Sequence, residues 1–232
     1  MSKRESIQKM EMKNLSFQFE SGERIFENFS FDIPQTKAIW VRSAGPRGKS
    51  TLLKILAGLL SPQSGSYLIN GQDVSEMNFE EFLKYRLSMG YGFDSGGLLN
   101  NRTLYENLSL PLLYHKLLPT KEAHHRVDEM MNFFGLDRSR HARPFFVSGS
   151  QRKLACLVRP FVHWPEVVFL DDPVTGLKQE NLKAFFHFVE EGFETRGLKQ
   201  LIFTGESPLL AGHLKADELF IGDEGAVFTA AA

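Results

Sequence analysis

Four apolar residues, Ala38-Ile-Trp-Val41, lead into Ser43-Ala-Gly-Pro-Arg-Gly-Lys-Ser-Thr51, and from Lys49 to Leu60 apolar residues recur at helical spacing. A short strand with no polar face must be buried on both sides, which calls for a parallel sheet covered by helices. The remaining pattern fits such a sheet. Lys13–Phe19 and Glu27–Ile33 alternate apolar and polar residues as half-buried strands do. The turn Pro62-Gln-Ser-Gly65 precedes a strand at Tyr67–Asn70, and Asn70-Gly71 is a strong hairpin signal. Residues 78–86, 103–118 and 121–134 carry helical periodicity. Strand and helix then alternate again: Val167–Leu170, a helix over Gln179–Arg196, a strand over Gln200–Thr204, and a closing hairpin within Glu218–Phe228. The spacing predicts an α/β fold with a mostly parallel sheet and a helical subdomain inserted in the middle. With no internal repeat or low-complexity linker, residues 1–232 read as one unit. Its core spans about 8–93 and 165–232, and its helical part about 95–163.

The loop at 43–51 has the setting of an anion site. Free backbone N–H groups and the helix dipole at a helix start favour phosphate, and a lysine there meets the outer phosphate oxygens. Gly45, Arg47, Gly48, Lys49, Ser50 and Thr51 are the candidate binding residues, and the Ser50 hydroxyl suits Mg2+. The pattern G-x-x-x-x-G-K-[ST] is broken at its first position by Ser43, and Pro46 lacks an N–H. One lost donor to a charged acceptor costs about 1.5–3 kcal/mol, part of which the charge of Arg47 offsets.

Two further stretches join this loop. Val167-Val-Phe-Leu-Asp-Asp-Pro173 is a buried strand that delivers Asp171 toward a metal and Asp172 toward an attacking water. About twenty residues upstream, Val147-Ser-Gly-Ser-Gln151 precedes a basic helix, Arg152–Arg159. Small residues there permit close backbone approach to a phosphate. Loop, small-residue motif and carboxylate strand, in this order and at these gaps, resemble the Walker A, signature and Walker B motifs of the ABC ATPases. The resemblance runs from about Lys13 to Phe228.

That likeness implies a RecA-like P-loop NTPase core with an N-terminal antiparallel β subdomain. It also implies ATP and Mg2+ as cofactors, Phe19 stacking on adenine, and Asp94 at the Q-loop as a nucleotide and metal contact. Ser50 and Asp171 are the other implied metal contacts. Ser148, Gly149 and Gln151 would meet the nucleotide of a second ABC subunit, in a homodimer or heterodimer. Phe93-Asp-Ser-Gly-Gly-Leu-Leu99 and Glu106-Asn-Leu-Ser-Leu-Pro111 are most similar to the Mce-associated lipid-transport branch.

Departures from the family gather on the catalytic side. Asp172 replaces glutamate, a retreat on the order of 1 Å that costs about 10²-fold in rate. Asp94 replaces the Q-loop glutamine, Lys178 an aspartate of the D-loop, and Gly205 the switch histidine. Removing a group that handles a proton costs about 10²–10⁴-fold, so hydrolysis is expected to suffer more than binding. The seven histidines, at 115, 124, 125, 141, 163, 187 and 213, lie elsewhere and read as solvated or capping residues.

Composition narrows the partners. A net charge of −1 argues against a nucleic-acid surface. The single cysteine, Cys156, leaves no internal disulfide, fits a reducing cytosol, and reads as a small buried apolar residue. The polar start Met1–Lys9 lacks a secretion signal, and no apolar run approaches the roughly 20 residues of a membrane span. Leu52–Leu60 and Leu108–Leu118 are too short. If membranes matter, another polypeptide supplies the span, and the resemblance to ABC ATPases implies a separate membrane permease as that partner, with this subunit cytoplasmic and peripheral on the inner face.

Overall fold

The computed structural model describes residues 4–45, 48–94, 96–222 and 225–231. An antiparallel sheet opens the chain, with β1 (Met10–Gln18), β2 (Arg24–Asp32), β4 (Ser64–Ile69) and β5 (Gln72–Asp73) in the order β2-β1-β4-β5. The Asn70-Gly71 hairpin joins β4 to β5, with both residues at positive φ (53° and 83°) as its turn requires.

The second sheet contains β3 (Ala38–Ser43), β6 (Met89–Gly92), β7 (Val167–Leu170), β8 (Gln200–Thr204), β9 (Asp217–Gly222) and β10 (Gly225–Thr229). Its order is β10-β9-β3-β8-β7-β6, parallel throughout except for the antiparallel β9–β10 hairpin. Helices α1 (Lys49–Leu56), α2 (Phe79–Arg86), α3 (Leu104–Tyr114), α4 (Thr120–Phe133), α5 (Gly149–Val158), α6 (Gln179–Thr195) and α7 (Leu209–Leu214) complete the described fold.

The apolar strands feed two cores by turns. On β7, Val167 and Phe169 join one cluster with α1 and the antiparallel sheet, while Val168 and Leu170 join the other with α3, α4, α5 and α6. On β8, Ile202 faces the first cluster, and Leu201 and Phe203 face the second. The period of two along a strand thus explains why Val167–Leu170 shows no polar side.

Some elements depart from the sequence expectation. α1 ends at Leu56 rather than Leu60, because Gly58 at φ 64° turns the chain away. α3 ends at Tyr114, four residues early, with Lys116 in the left-handed region at φ 49°. β6 was not anticipated, since Met89-Gly-Tyr-Gly92 has weak strand propensity. Glycine is needed there because a Cβ on Gly90 would come within 2.5 Å of the Pro160 carbonyl oxygen. α7 is likewise an addition.

Candidate functional site

The carboxyl ends of β3, β6, β7 and β8 open on one edge of the parallel sheet, where such sheets place their ligand crevice. The chain leaving β3 turns at Gly48 (φ 90°) directly into α1. Among the described residues no side chain caps α1 at Gly48, which leaves its first N–H groups for an external acceptor. The Ser43 hydroxyl donates to the Gly45 carbonyl, so the serine at the loop's first position braces the turn that glycine would otherwise make. Pro46 and Arg47 lie outside the described residues.

Lys49 Nζ donates to the Gly45 carbonyl at 3.2 Å and to Glu206 Oε1 at 2.9 Å. The Lys49 ammonium holds the Glu206 carboxyl below its ordinary pKa. Behind the lysine, the Ser50 hydroxyl donates to Asp171 Oδ1 at 2.8 Å and the Thr204 hydroxyl donates to the same oxygen at 2.6 Å. Thr204 Oγ1 also accepts from the Asp172 amide at 3.0 Å, so one threonine ties the end of β8 to both aspartates. Hydroxyl and carboxylate oxygens are the hard donors Mg2+ prefers, and with phosphate oxygens and waters they fit that ion. Thr51 is buried in α1.

Asp172 sits in the left-handed region at φ 43°, and a Cβ added at Gly205 would stand 3.1 Å from Asp172 Oδ1. Gly205 itself has φ 136°, and its carbonyl accepts from Trp40 Nε1 at 2.9 Å. Backbone of this shape suits glycine.

Asp94 is engaged by Lys153, whose ammonium donates to its carboxylate at 2.8 Å and its carbonyl at 2.7 Å. Phe19 is 38% exposed and meets Phe17 edge-on at 5.1 Å. Ser148 and Gln151 form a capping box at the start of α5, and Gln151 reaches Ser139 at 3.0 Å. Space is open within 4 Å of a Cβ at Gly149, so that helix start permits close approach.

The structure therefore gathers Lys49, Ser50, Asp171 and Asp172 at one point, with Asp94 linked to Asp172 through Lys153. Ser148 and Gln151 bond to each other, and Gln151 also to Ser139. Thr204, Glu206 and Lys153 are site residues the sequence reading passed over. A lysine among Leu154, Ala155, Leu157 and Val158 on a buried helix was the available signal for Lys153. His163 corrects the expectation of solvated histidines. It is buried, its Nε2–H donates to the Met89 carbonyl at 3.0 Å, and desolvation takes its pKa down to about 3. Cys156 is buried as expected, and burial raises its thiol pKa.

The family profile described as ABC transporter matches residues 26–175. The chain belongs to the ABC transporter family. Its relatives include a methionine import ATP-binding protein of Mannheimia succiniciproducens, 28% identical over 93% of this chain and 63% of the relative. A probable ribonucleotide transport ATP-binding protein of Mycobacterium leprae is 35% identical over 72% of this chain and 48% of its own length. The chain thus spans about half to under two thirds of the length of these two relatives. In fold it is similar to the dimeric ATP-binding cassette MJ0796 bound to ADP and Pi, with a TM-score of 0.81 at 20% identity, covering 96% of this chain and 99% of that one. It is also similar to cbiO1 of Clostridium perfringens, part of the ABC transporter complex cbiONQ, with a TM-score of 0.75 at 20% identity, covering 97% of this chain and 89% of that one. Among the described residues, no helix is long and apolar enough to cross a membrane.

Proposed function

We propose that this chain binds MgATP at the β3–α1 junction and couples that binding to a separate membrane permease, from a peripheral position on the cytoplasmic face. The observation that carries the reading is the convergence of Ser50 and Thr204 on Asp171, with Lys49 at the loop mouth. Lys49, Gly48 and Thr51 hold the phosphates, Ser50 and Asp171 hold Mg2+, and Phe19 stacks on the base. Bound Mg2+ would supply charge neutralisation of the triphosphate. Asp172 is the weak candidate for orienting the attacking water. Hydrolysis is slow in this reading, because Asp172 is short and Gly205 offers no side chain.

The partners are a permease and a second ABC subunit, whose nucleotide would meet Ser148, Gly149 and Gln151. A groove of about 430 Å³ beside Phe93, Tyr114 and Arg159 offers apolar and cationic surface to the permease. Relatives named for methionine import favour inward transport. Lipid or another hydrophobic solute is the cargo suggested by the 93–99 and 106–111 patterns. Folding accounts for part of that pattern, since Glu106 closes a capping box and Asn107 accepts from the Leu99 amide at 2.7 Å.

A second reading is a non-hydrolytic partner in a heterodimer, favoured by Gly205 and Asp172 together. A fluorescent-ATP titration with phosphate-release kinetics on wild type and Lys49→Ala tests both. Binding lost in the variant supports the site, and equal binding by both proteins rejects it. Phosphate release that stays at background even with the cognate ABC partner selects the second reading.

A further inference from the structure

Lys153 lies on α5, four residues after Gly149, with its side chain only 9% exposed. Its ammonium donates to Asp94 Oδ1 at 2.8 Å, to the Asp94 carbonyl at 2.7 Å and to the Asp172 carbonyl at 2.7 Å. All three N–H donors are thereby used. One buried cation pins α5 to the loops that leave β6 and β7.

Two consequences follow from that geometry. A carboxylate at position 94 would by itself repel a triphosphate, and Lys153 cancels its charge at contact distance. The Asp172 peptide is held on both sides, its amide on Thr204 Oγ1 and its carbonyl on Lys153, which fixes a residue at φ 43°. We propose that Lys153 is a positioning residue of the nucleotide site, neutralising Asp94 and fixing Asp172, so that Asp94 serves as the counter-ion of Lys153 and not as a ligand of Mg2+. The proposal rests on the reading that residues 45–51 bind MgATP. Because α5 begins at Gly149, any tilt of that helix moves both loops with it.

The test is a fluorescent-ATP titration, at fixed and at varied Mg2+, on the full chain below its melting temperature. The variants are Lys153→Met, Lys153→Arg, Asp94→Asn and the double variant Asp94→Asn/Lys153→Met, with Lys49→Ala as the control. Lys153→Met is expected to weaken binding by about tenfold, Asp94→Asn to tighten it by a similar factor, and the double variant to return near wild type. Lys153→Arg keeps affinity within about threefold by retaining the charge.

A double variant as weak as Lys153→Met would reduce Lys153 to a packing role and overturn the proposal. Weaker binding by Asp94→Asn, with a steeper need for Mg2+, would make Asp94 a metal ligand and also overturn it. Should Lys153→Met fail to fold, Asp94→Asn and Lys153→Arg decide the matter by the same signs. Lys49→Ala separates the two failures. If it binds like wild type, the nucleotide site itself is rejected. If it loses binding while the other variants miss their expected signs, only the role of Lys153 falls.

Discussion

Glu206 Oε1 stands 2.9 Å from Lys49 Nζ, so a carboxylate one residue past Gly205 occupies the lysine that a phosphate would claim. The Lys49 side chain is 12% exposed and that of Glu206 is 87% exposed, so the lysine is fixed and the glutamate is free to leave. A bound triphosphate must displace this carboxylate. Glu206→Gln is therefore expected to bind MgATP a few-fold more tightly in a fluorescent-ATP titration. The gain should shrink at high salt, because an exposed ion pair is screened. Unchanged or weaker affinity would show that the carboxylate does not compete.

Thr204 is the hinge pin between the two aspartates. Replacing it with valine leaves the Asp172 amide without an acceptor and removes a donor to Asp171. An unsatisfied buried group costs about 1–3 kcal/mol, and denaturant unfolding should report a loss of that size in Thr204→Val. Thr204→Ser keeps the hydroxyl and should retain most of the stability. A Thr204→Val protein as stable as wild type would show that these hydrogen bonds contribute little.

The legibility of this site followed the physics of each residue. Lys49, Ser50 and Asp171 were readable because a strand-to-helix turn and a strand end fix where such side chains project. The burial of β7 was readable because two covered faces demand apolar residues at every position. Glu206 and Lys153 were not, because their partners are 157 and 59 positions away and only the folded chain brings them together. Gly90 hid β6 for a similar reason, since its need is set by the Pro160 backbone. The hydroxyl of Ser148 was assigned to a phosphate from its motif, and the structure shows it also bonding to Gln151, as S-x-x-Q sequences do at helix starts.

Placing a histidine at 205 is not expected to raise phosphate release. Gly205 holds φ 136°, a region where side-chain-bearing residues are strained by about 1–3 kcal/mol. Its Cβ would also crowd Asp172 Oδ1 at 3.1 Å. Gly205→His and Gly205→Ala should lose comparable stability in thermal unfolding, with no rise in phosphate release for either. A Gly205→His protein as stable as wild type with faster release would show that the backbone adapts.

His163 gives the fold a defined acid sensitivity. Its Nε2–H donates to the Met89 carbonyl, its Nδ1 has no hydrogen-bond partner among the described residues, and desolvation, with Arg4 next in effect, lowers its pKa from 6.5 to about 3. Below 6.5 the unfolded chain takes up a proton that the folded chain refuses, so unfolding gains as pH falls. The stability tied to the neutral ring is complete above pH 6.5 and declines as pH drops toward about 3. Each unit of that interval corresponds to about 1.4 kcal/mol, which makes about 2 kcal/mol at pH 5. Urea unfolding of wild type and His163→Gln at pH 7.5 and pH 5 measures it. The glutamine can still donate to Met89 but does not titrate, so the variant should lose less stability between the two pH values than wild type. Parallel losses in both proteins would move the acid sensitivity to other groups.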